Sequence, residues 1–271
     1  MTANEIGFAV DLAAAEGWNP GLRDAESFYA ADPDGFLIGV LDGEPIACIS
    51  AVSYEGTFGF IGLYIVAPPH RGKGYGIAIW KRAMERLAGH NVGLDGVVAQ
   101  QDNYRRSGFV LAYRNVRFEG RGGGDAPDGL VDARAVPFDA LCAYDRRAFP
   151  AARATFLRAW IDQPGAIALA SVDGDSVRGY GVIRPCREGF KIGPLFADTP
   201  AIADALYRGL ASRAPKESPV FLDVPESNAA AVGLTARYGM RRVFETARMY
   251  TGAVPDVDVQ RVFGVTTFEL G

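Results

Sequence analysis

Seven consecutive residues, His70-Arg71-Gly72-Lys73-Gly74-Tyr75-Gly76, carry the clearest chemical pattern in the chain. Glycines at alternate positions let a backbone come close to a ligand, and the helix-forming run that opens at Ile77 begins with N–H groups that have no partner inside the helix. Arg71 and Lys73 add fixed positive charge. Together these features make a nest for an anion such as a phosphate. A dinucleotide fingerprint would need a third glycine where Ile77 stands, although Asp95 lies at about the distance of its ribose-binding acid. A Walker loop would need Ser or Thr after the lysine, and Lys73 is followed by Gly74.

What the stretch does match is Arg-x-x-Gly-x-Gly, at Arg71, Gly74 and Gly76, preceded by Val66-x-Pro68 at the end of the apolar run 60–66. This resembles the acetyl-CoA pyrophosphate loop of the GNAT N-acetyltransferase superfamily. The resemblance implies that Arg71 and the amides of Gly72, Lys73, Gly74, Tyr75, Gly76 and Ile77 hold the pyrophosphate. It also implies that Tyr64, Ile65 and Val66 form a strand end that splays from its neighbour, with the pantetheine arm in the gap and the Val66 N–H facing the thioester carbonyl. The physics agrees, because a strand edge without a neighbour leaves backbone groups that an extended, amide-bearing ligand can pair. An ordinary buried strand is the other reading of these three residues.

Tyr104 stands in Tyr-x-x-x-Gly-Phe (Tyr104, Gly108, Phe109). In the resembled family that tyrosine reaches the departing sulfur, and a positioned phenol can protonate a thiolate whose conjugate acid has a pKa of about 8.5. Packing is its alternative role. Where the family carries an asparagine ahead of this tyrosine, the chain has Val97, so the connecting helix is expected to be short or irregular.

The elements that must position these residues follow from periodicity. Apolar residues at helical spacing predict helices over 5–16 and 23–30, broken by Gly17-Trp18-Asn19-Pro20-Gly21. Strands are expected over 35–41 and 45–54, joined at Asp42-Gly43, and a third strand delivers Val66 to the loop. A helix over 77–88, a strand over 93–99, a short helical segment at Tyr104 and a strand over 109–119 complete the first half. That order is the GNAT one.

A glycine-rich stretch with Asp125-Ala126-Pro127 marks a linker over 121–130 between units 1–120 and 131–271. In the second unit, helices over 138–149 and 151–161, strands over 166–172, 177–183 and 190–196, helix 200–213, strand 219–224, helix 228–238 and strand 241–250 repeat the first. The glycine loop does not repeat. In its place stands Ala197-Asp198-Thr199-Pro200, an ordinary helix start whose Asp198 would repel a pyrophosphate. The expected fold class is therefore α/β (α+β): two GNAT-like lobes, each a mixed, mostly antiparallel twisted sheet flanked by helices. The N-terminal lobe is expected to be active and the C-terminal lobe degenerate, with Trp18, Trp160, Tyr180 and Arg184 as candidates for a cleft between them.

Composition bounds the rest. The 271 residues, 49% hydrophobic and 22% charged with net charge −4, fit an ordinary globular chain of two domains, without the clustered positive charge of a nucleic-acid surface. No apolar run has membrane-spanning length and no signal segment opens the chain, so a cytoplasmic protein is expected. Three scattered cysteines and two histidines indicate neither a disulfide frame nor a metal site.

The reading implied is transfer of an acetyl or other short acyl group from acetyl-CoA, or another short acyl-CoA, to a primary amine of a small molecule, without a metal and by a monomer or homodimer. Glu16 and Glu55 lie in loops that could face the cleft, and neither stands out as the base over a solvated turn. Two other readings stay open: an acyl-CoA-binding or sensing protein without activity, and transfer to protein lysines or N-termini, which would need an open acidic groove.

Overall fold

The amphipathic runs and turn residues of the first half place its elements in the computed structural model, which describes residues 1–271. Helices α1 (Ile6–Ala15) and α2 (Asp24–Ala31) precede strands β1 (Phe36–Leu41), β2 (Glu44–Tyr54) and β3 (Phe58–Val66). Asp42 and Gly43 both take positive φ, which matches the right-handed twist of the hairpin they close. After β3 come a single 3-10 turn (Pro68–His70), helix α3 (Tyr75–Arg86), strand β4 (Asn91–Val97), the short helix α4 (Gln101–Arg106) and strand β5 (Val110–Arg121).

The second half repeats that order after a short strand β6 (Leu130–Asp132): α5 (Phe138–Asp145), α6 (Ala154–Ile161), β7 (Ile167–Asp173), β8 (Ser176–Pro185), β9 (Phe190–Ala197), α7 (Pro200–Ala211), β10 (Pro219–Pro225), α8 (Ala229–Arg237) and β11 (Arg241–Tyr250). Beyond β11 lies a further strand that periodicity does not announce, β12 (Val262–Gly264). No helix is long and apolar enough to cross a membrane.

The strands do not form two separate sheets. One twelve-stranded sheet runs β1-β2-β3-β4-β11-β5-β10-β9-β8-β7-β6, with β12 attached to β9. Strand β11, from the end of the second half, lies between β4 and β5 of the first, antiparallel to both. On its other side β5 pairs with β10 from Asn115↔Pro225 to Arg121↔Pro219. The sheet thus runs without a break across the stretch over 121–130.

Three apolar clusters cover the faces. The largest packs α1 and α2 together with α5 and α6 and so draws on both halves, with Phe28 stacked on Trp160 at 6.1 Å. A second sits under α3 and α4, and a third under α7 and α8.

The sheet opens at two places. Parallel pairing of β3 with β4 runs only from Phe58↔Asn91 to Ile61↔Leu94. Beyond that point Gly62–Val66 and Asp95–Val97 diverge, while β4 stays paired to β11 as far as Val97. In the second half β9 and β10 likewise pair only up to Ile192↔Leu222. There the gap is filled from within: β12 pairs with the outer part of β9, and Val265 N donates to the Asp223 carbonyl at 2.8 Å.

Candidate active site

The open gap between β3 and β4 forms a cavity of about 420 Å³. At its loop end, Gly72 and Gly74 take φ of +73° and +87°, left-handed values that suit glycine. Gly74 caps α3 without a side-chain hydrogen bond, and the first amide of this turn to find a backbone acceptor is that of Ala78, on the Gly74 carbonyl. The amides from Gly72 to Ile77 therefore have no backbone acceptor. No acidic residue lies in the first turn to compete for an anion there.

A close approach tightens this corner: a Cβ on Gly76 would stand 2.9 Å from Tyr64 Oη. Arg71 reaches from the loop back to the strand, its Nε donating to the Val66 carbonyl at 2.8 Å while its guanidinium pairs with Glu16 at the end of α1. The residues present thus offer free donors and positive charge at the loop and a widening strand edge behind it, which fits an acyl-CoA lying from loop to gap.

The gap owes its shape to a bulge. Pairing of β2 with β3 slips between Cys48↔Ile65 and Ser50↔Gly62, and Leu63 takes a φ of +48°, an uncommon value for a branched residue. Such strain persists where surrounding structure holds it, and it clusters at working sites. Tyr64, Ile65 and Val66, just past the bulge, all line the cavity.

Tyr104 lines it from the opposite strand's side. Helix α4 is only six residues long, in keeping with the missing asparagine at Val97, and it is preceded by a single 3-10 turn. Its tyrosine ring lies over Gly96, where any Cβ would come within 2.2 Å of Cε2, and packs on Trp80 at 5.7 Å. Trp80 in turn lies 5.2 Å from the Tyr64 ring. Burial, with the neighbouring Tyr64 adding to it, pushes the Tyr104 phenol well above its ordinary pKa. At neutral pH it stays protonated, with its O–H available to a hydrogen-bond acceptor.

The structure thus brings Tyr64, Ile65, Val66, Arg71, Gly72, Gly76 and Tyr104 to one cavity. Lys73, Gly74, Tyr75 and Ile77 stand behind the lining: Lys73 Nζ donates to the Pro69 carbonyl, Tyr75 meets His70 edge-on and Ile77 is exposed. Of the aromatic and basic candidates for the cleft, Trp18 lines it. Trp160, Tyr180 and Arg184 do not, being fully buried, with Arg184 paired to Asp24 and Trp160 bonded to the Gly193 carbonyl. Glu55 is exposed away from the cavity and accepts from Ala152 N at 3.0 Å.

Sequence reasoning missed the far wall. Phe244 and Thr246 come from β11, and Phe268 and Glu269 from the tail beyond β12. Beneath the two phenylalanines lies Arg117, its guanidinium 5.0 Å from the Phe268 ring and 5.7 Å from Phe244, bidentate on buried Asp223 and donating to the Trp18 carbonyl. Asp95, which in sequence mimics a ribose-binding acid, lines the cavity while paired with buried Arg248. The aromatic spacing in β11 is a visible signal. The tail has neither helical nor strand periodicity, and nothing local marks Glu269.

The second half's equivalent corner is differently furnished. Thr199 caps α7 by accepting from Ile202 N, and Asp198 pairs with Arg147, Arg178 and Arg261. Asn228 caps α8 and donates to carbonyls of the segment leading into β12, which occupies the gap itself.

Comparison with known proteins agrees with this geometry. Residues 8–109 match the model of the acetyltransferase (GNAT) family, and residues 141–264 that of an acetyltransferase (GNAT) domain. A holothin acyltransferase from Pseudoalteromonas sp. (strain SANK 73390) is 33% identical over 96% of the chain and 90% of its own length. A crystal structure of a candidate acetyltransferase from Pyrococcus horikoshii superposes with a TM-score of 0.85 at 25% identity, covering 100% of the chain and 94% of the other. A tandem GNAT protein from the clavulanic acid biosynthesis pathway shares the fold, with a TM-score of 0.62 at 14% identity over 94% and 98% of the two chains. Both halves therefore carry the same fold for the same reason: the chain belongs to the GNAT acetyltransferase family as a tandem protein, an acyl-CoA-dependent N-acyltransferase.

Proposed function

We propose that the enzyme moves an acetyl or other short acyl group from acyl-CoA to a primary amine of a small molecule. In this reading residues 1–120 bind the cosubstrate, 121–130 connect, and 131–271 form a unit without a cofactor site of its own that walls the acceptor side. The observation that carries it is the continuity of one cavity from Arg71, Gly72 and Gly76, past Val66 and Tyr104, to Phe244, Phe268 and Trp18. A cavity of this volume walled by both halves suits a small acceptor, whereas a protein lysine would need an open groove.

Arg71 and the amides of Gly72 to Ile77, Lys73 to Tyr75 included, hold the pyrophosphate. The Val66 N–H polarises the thioester carbonyl, a kind of donor that typically contributes about 3–4 kcal/mol in the transition state. The amine nitrogen bonds to the carbonyl carbon and gives up one proton to a base or solvent, the C–S bond breaks, the thiolate takes a proton from Tyr104, and solvent restores the phenol.

Thiol release from acetyl-CoA tests the reading, across a panel of holothin, a polyamine, an aminoglycoside and an amino-acid ester. Holothin heads the panel because the Pseudoalteromonas relative is named for it. Turnover of at least one small amine, with none on a lysine-containing peptide, is the expected result. Saturable acetyl-CoA binding without turnover on any of them would overturn it in favour of a binding protein.

A further inference from the structure

Three carboxylates line the cavity: Glu16, Asp95 and Glu269. Glu16 is neutralised by Arg71 and Asp95 by Arg248. Glu269 alone forms no ion pair, although its residue is only 3% exposed. Its Oε2 accepts from Thr267 Oγ1 at 2.5 Å, and Thr267 Oγ1 accepts in return from Glu269 N at 2.8 Å. That small ring fixes the side chain. No hydrogen bond within the protein reaches Oε1, and Glu269 is among the residues that line the cavity.

The tail that carries Glu269 is itself pinned at the fork of the two strands. The Glu269 carbonyl meets Gly62, the first residue past the last β3–β4 pair, so closely that a Cβ there would stand 2.0 Å from it. Ser50 Oγ donates to the same carbonyl, Tyr54 Oη to that of Leu270 and Arg153 to that of Gly271. The tail is therefore fixed where the two strands begin to part, and Glu269 lines the same cavity as Val66 and Tyr104.

We infer that Glu269 is the general base that takes the proton from the attacking amine. The inference rests on acyl transfer being the reaction of this site. In the step, the amine nitrogen forms its bond to the carbonyl carbon and gives one proton to Glu269 Oε1. The C–S bond breaks and Tyr104 supplies a proton to sulfur. Transfer through solvent from Glu269 to Tyr104 restores both groups, so that amine and thioester become amide and thiol. The charged and titratable groups around the base are the cations Arg117 from β5, Arg184 from β8 and Lys191 from β9. Asp223 and Asp24 hold the two arginines, and Lys191 donates to the Asn19 carbonyl. On the cavity side stand Glu16, Arg71, His70, Asp95, Tyr64 and Tyr104. Each of the acids among them is already engaged.

The test compares wild type with Glu269→Gln, using acetyl-CoA and holothin or the fastest amine of the panel, from acid to alkaline pH. At neutral pH kcat/KM is expected to fall about 10²-fold or more, with acetyl-CoA affinity by calorimetry unchanged. The ratio of wild-type to variant kcat/KM cancels the acceptor's own titration, and it should shrink towards one at the acid end of the range. A ratio constant with pH, or a variant as fast as wild type, overturns the inference while leaving acyl transfer intact. If wild type itself turns over no amine, both fall. Should Glu269→Gln not fold, Glu269→Asp decides: kcat lowered at least 10-fold with a pH-dependent ratio supports the role, and unchanged kcat refutes it.

Discussion

Single side chains in this cavity are arranged so that chemistry and packing can be separated. The Tyr104 ring is locked between Gly96 and Trp80, but its hydroxyl is bonded to nothing in the protein. Tyr104→Phe should therefore leave the melting temperature almost unchanged while lowering kcat about 10²-fold, with KM for acyl-CoA preserved. Stopped thiol release and a thermal melt on the same preparation check both halves of that statement. Arg71 offers the reverse contrast. Its pair with Glu16 is half-exposed and contributes at most about 1 kcal/mol to folding. Arg71→Glu should nevertheless abolish measurable acetyl-CoA binding by calorimetry, because it sets two carboxylates at an anion's site, and wild-type affinity in that variant would show the loop to be misassigned.

At the scale of elements, what the chain spells out locally is what could be read from it. Glycine spacing, the turn at Asp42-Gly43 and the switch from strand to helix at Gly74 are short-range features, and they located the loop, the gap and Tyr104. The shortened α4 was legible as well, from a missing residue at Val97. Strand order was not. The insertion of β11 between β4 and β5 depends on edges more than a hundred residues apart, and alternation within a strand says which face is buried without saying who its neighbour is. The tail was equally silent, since it is held by side chains of other elements: Ser50, Tyr54 and Arg153. Its dependence on Gly62 can be measured. Gly62→Ala should push the Glu269 backbone away, lowering both melting temperature and kcat while leaving acetyl-CoA affinity near that of wild type. Gly74→Ala meets open space but a φ of +87°, so it should cost about 1 kcal/mol of stability and weaken cofactor binding instead.

Across the whole molecule, the exchanged strands and the shared core predict a single cooperative unfolding transition by calorimetry, and two resolved peaks would contradict the continuous sheet. Acid should trigger that transition. Burial raises the carboxyls of Asp24 and Asp223, but Arg184 and Arg117 outweigh it and hold both below their ordinary value in the folded state. Stability from a depressed carboxyl is complete above its unfolded pKa of about 4 and is lost as pH falls through the folded value. Melting temperature should thus hold down to about pH 4 and drop below it. Asp223→Ala, which strands Arg117 under the cavity floor, should remove about 3–5 kcal/mol at neutral pH.

The placement of β11 also bears on how such a chain can change over generations. Each of the two like units lends the other something it cannot replace: β11 closes the sheet beside β4, and β5 offers an edge to β10. Deleting the second unit would leave the first with a hole in its middle rather than with a free edge. The first gap therefore depends on the second unit as a whole, although that unit's own gap is stopped by β12 and its equivalent helix start is capped by Thr199. Whatever the second half binds or does not bind, changes along β11 reach the first gap, whereas changes at its own helix start do not touch that sheet seam.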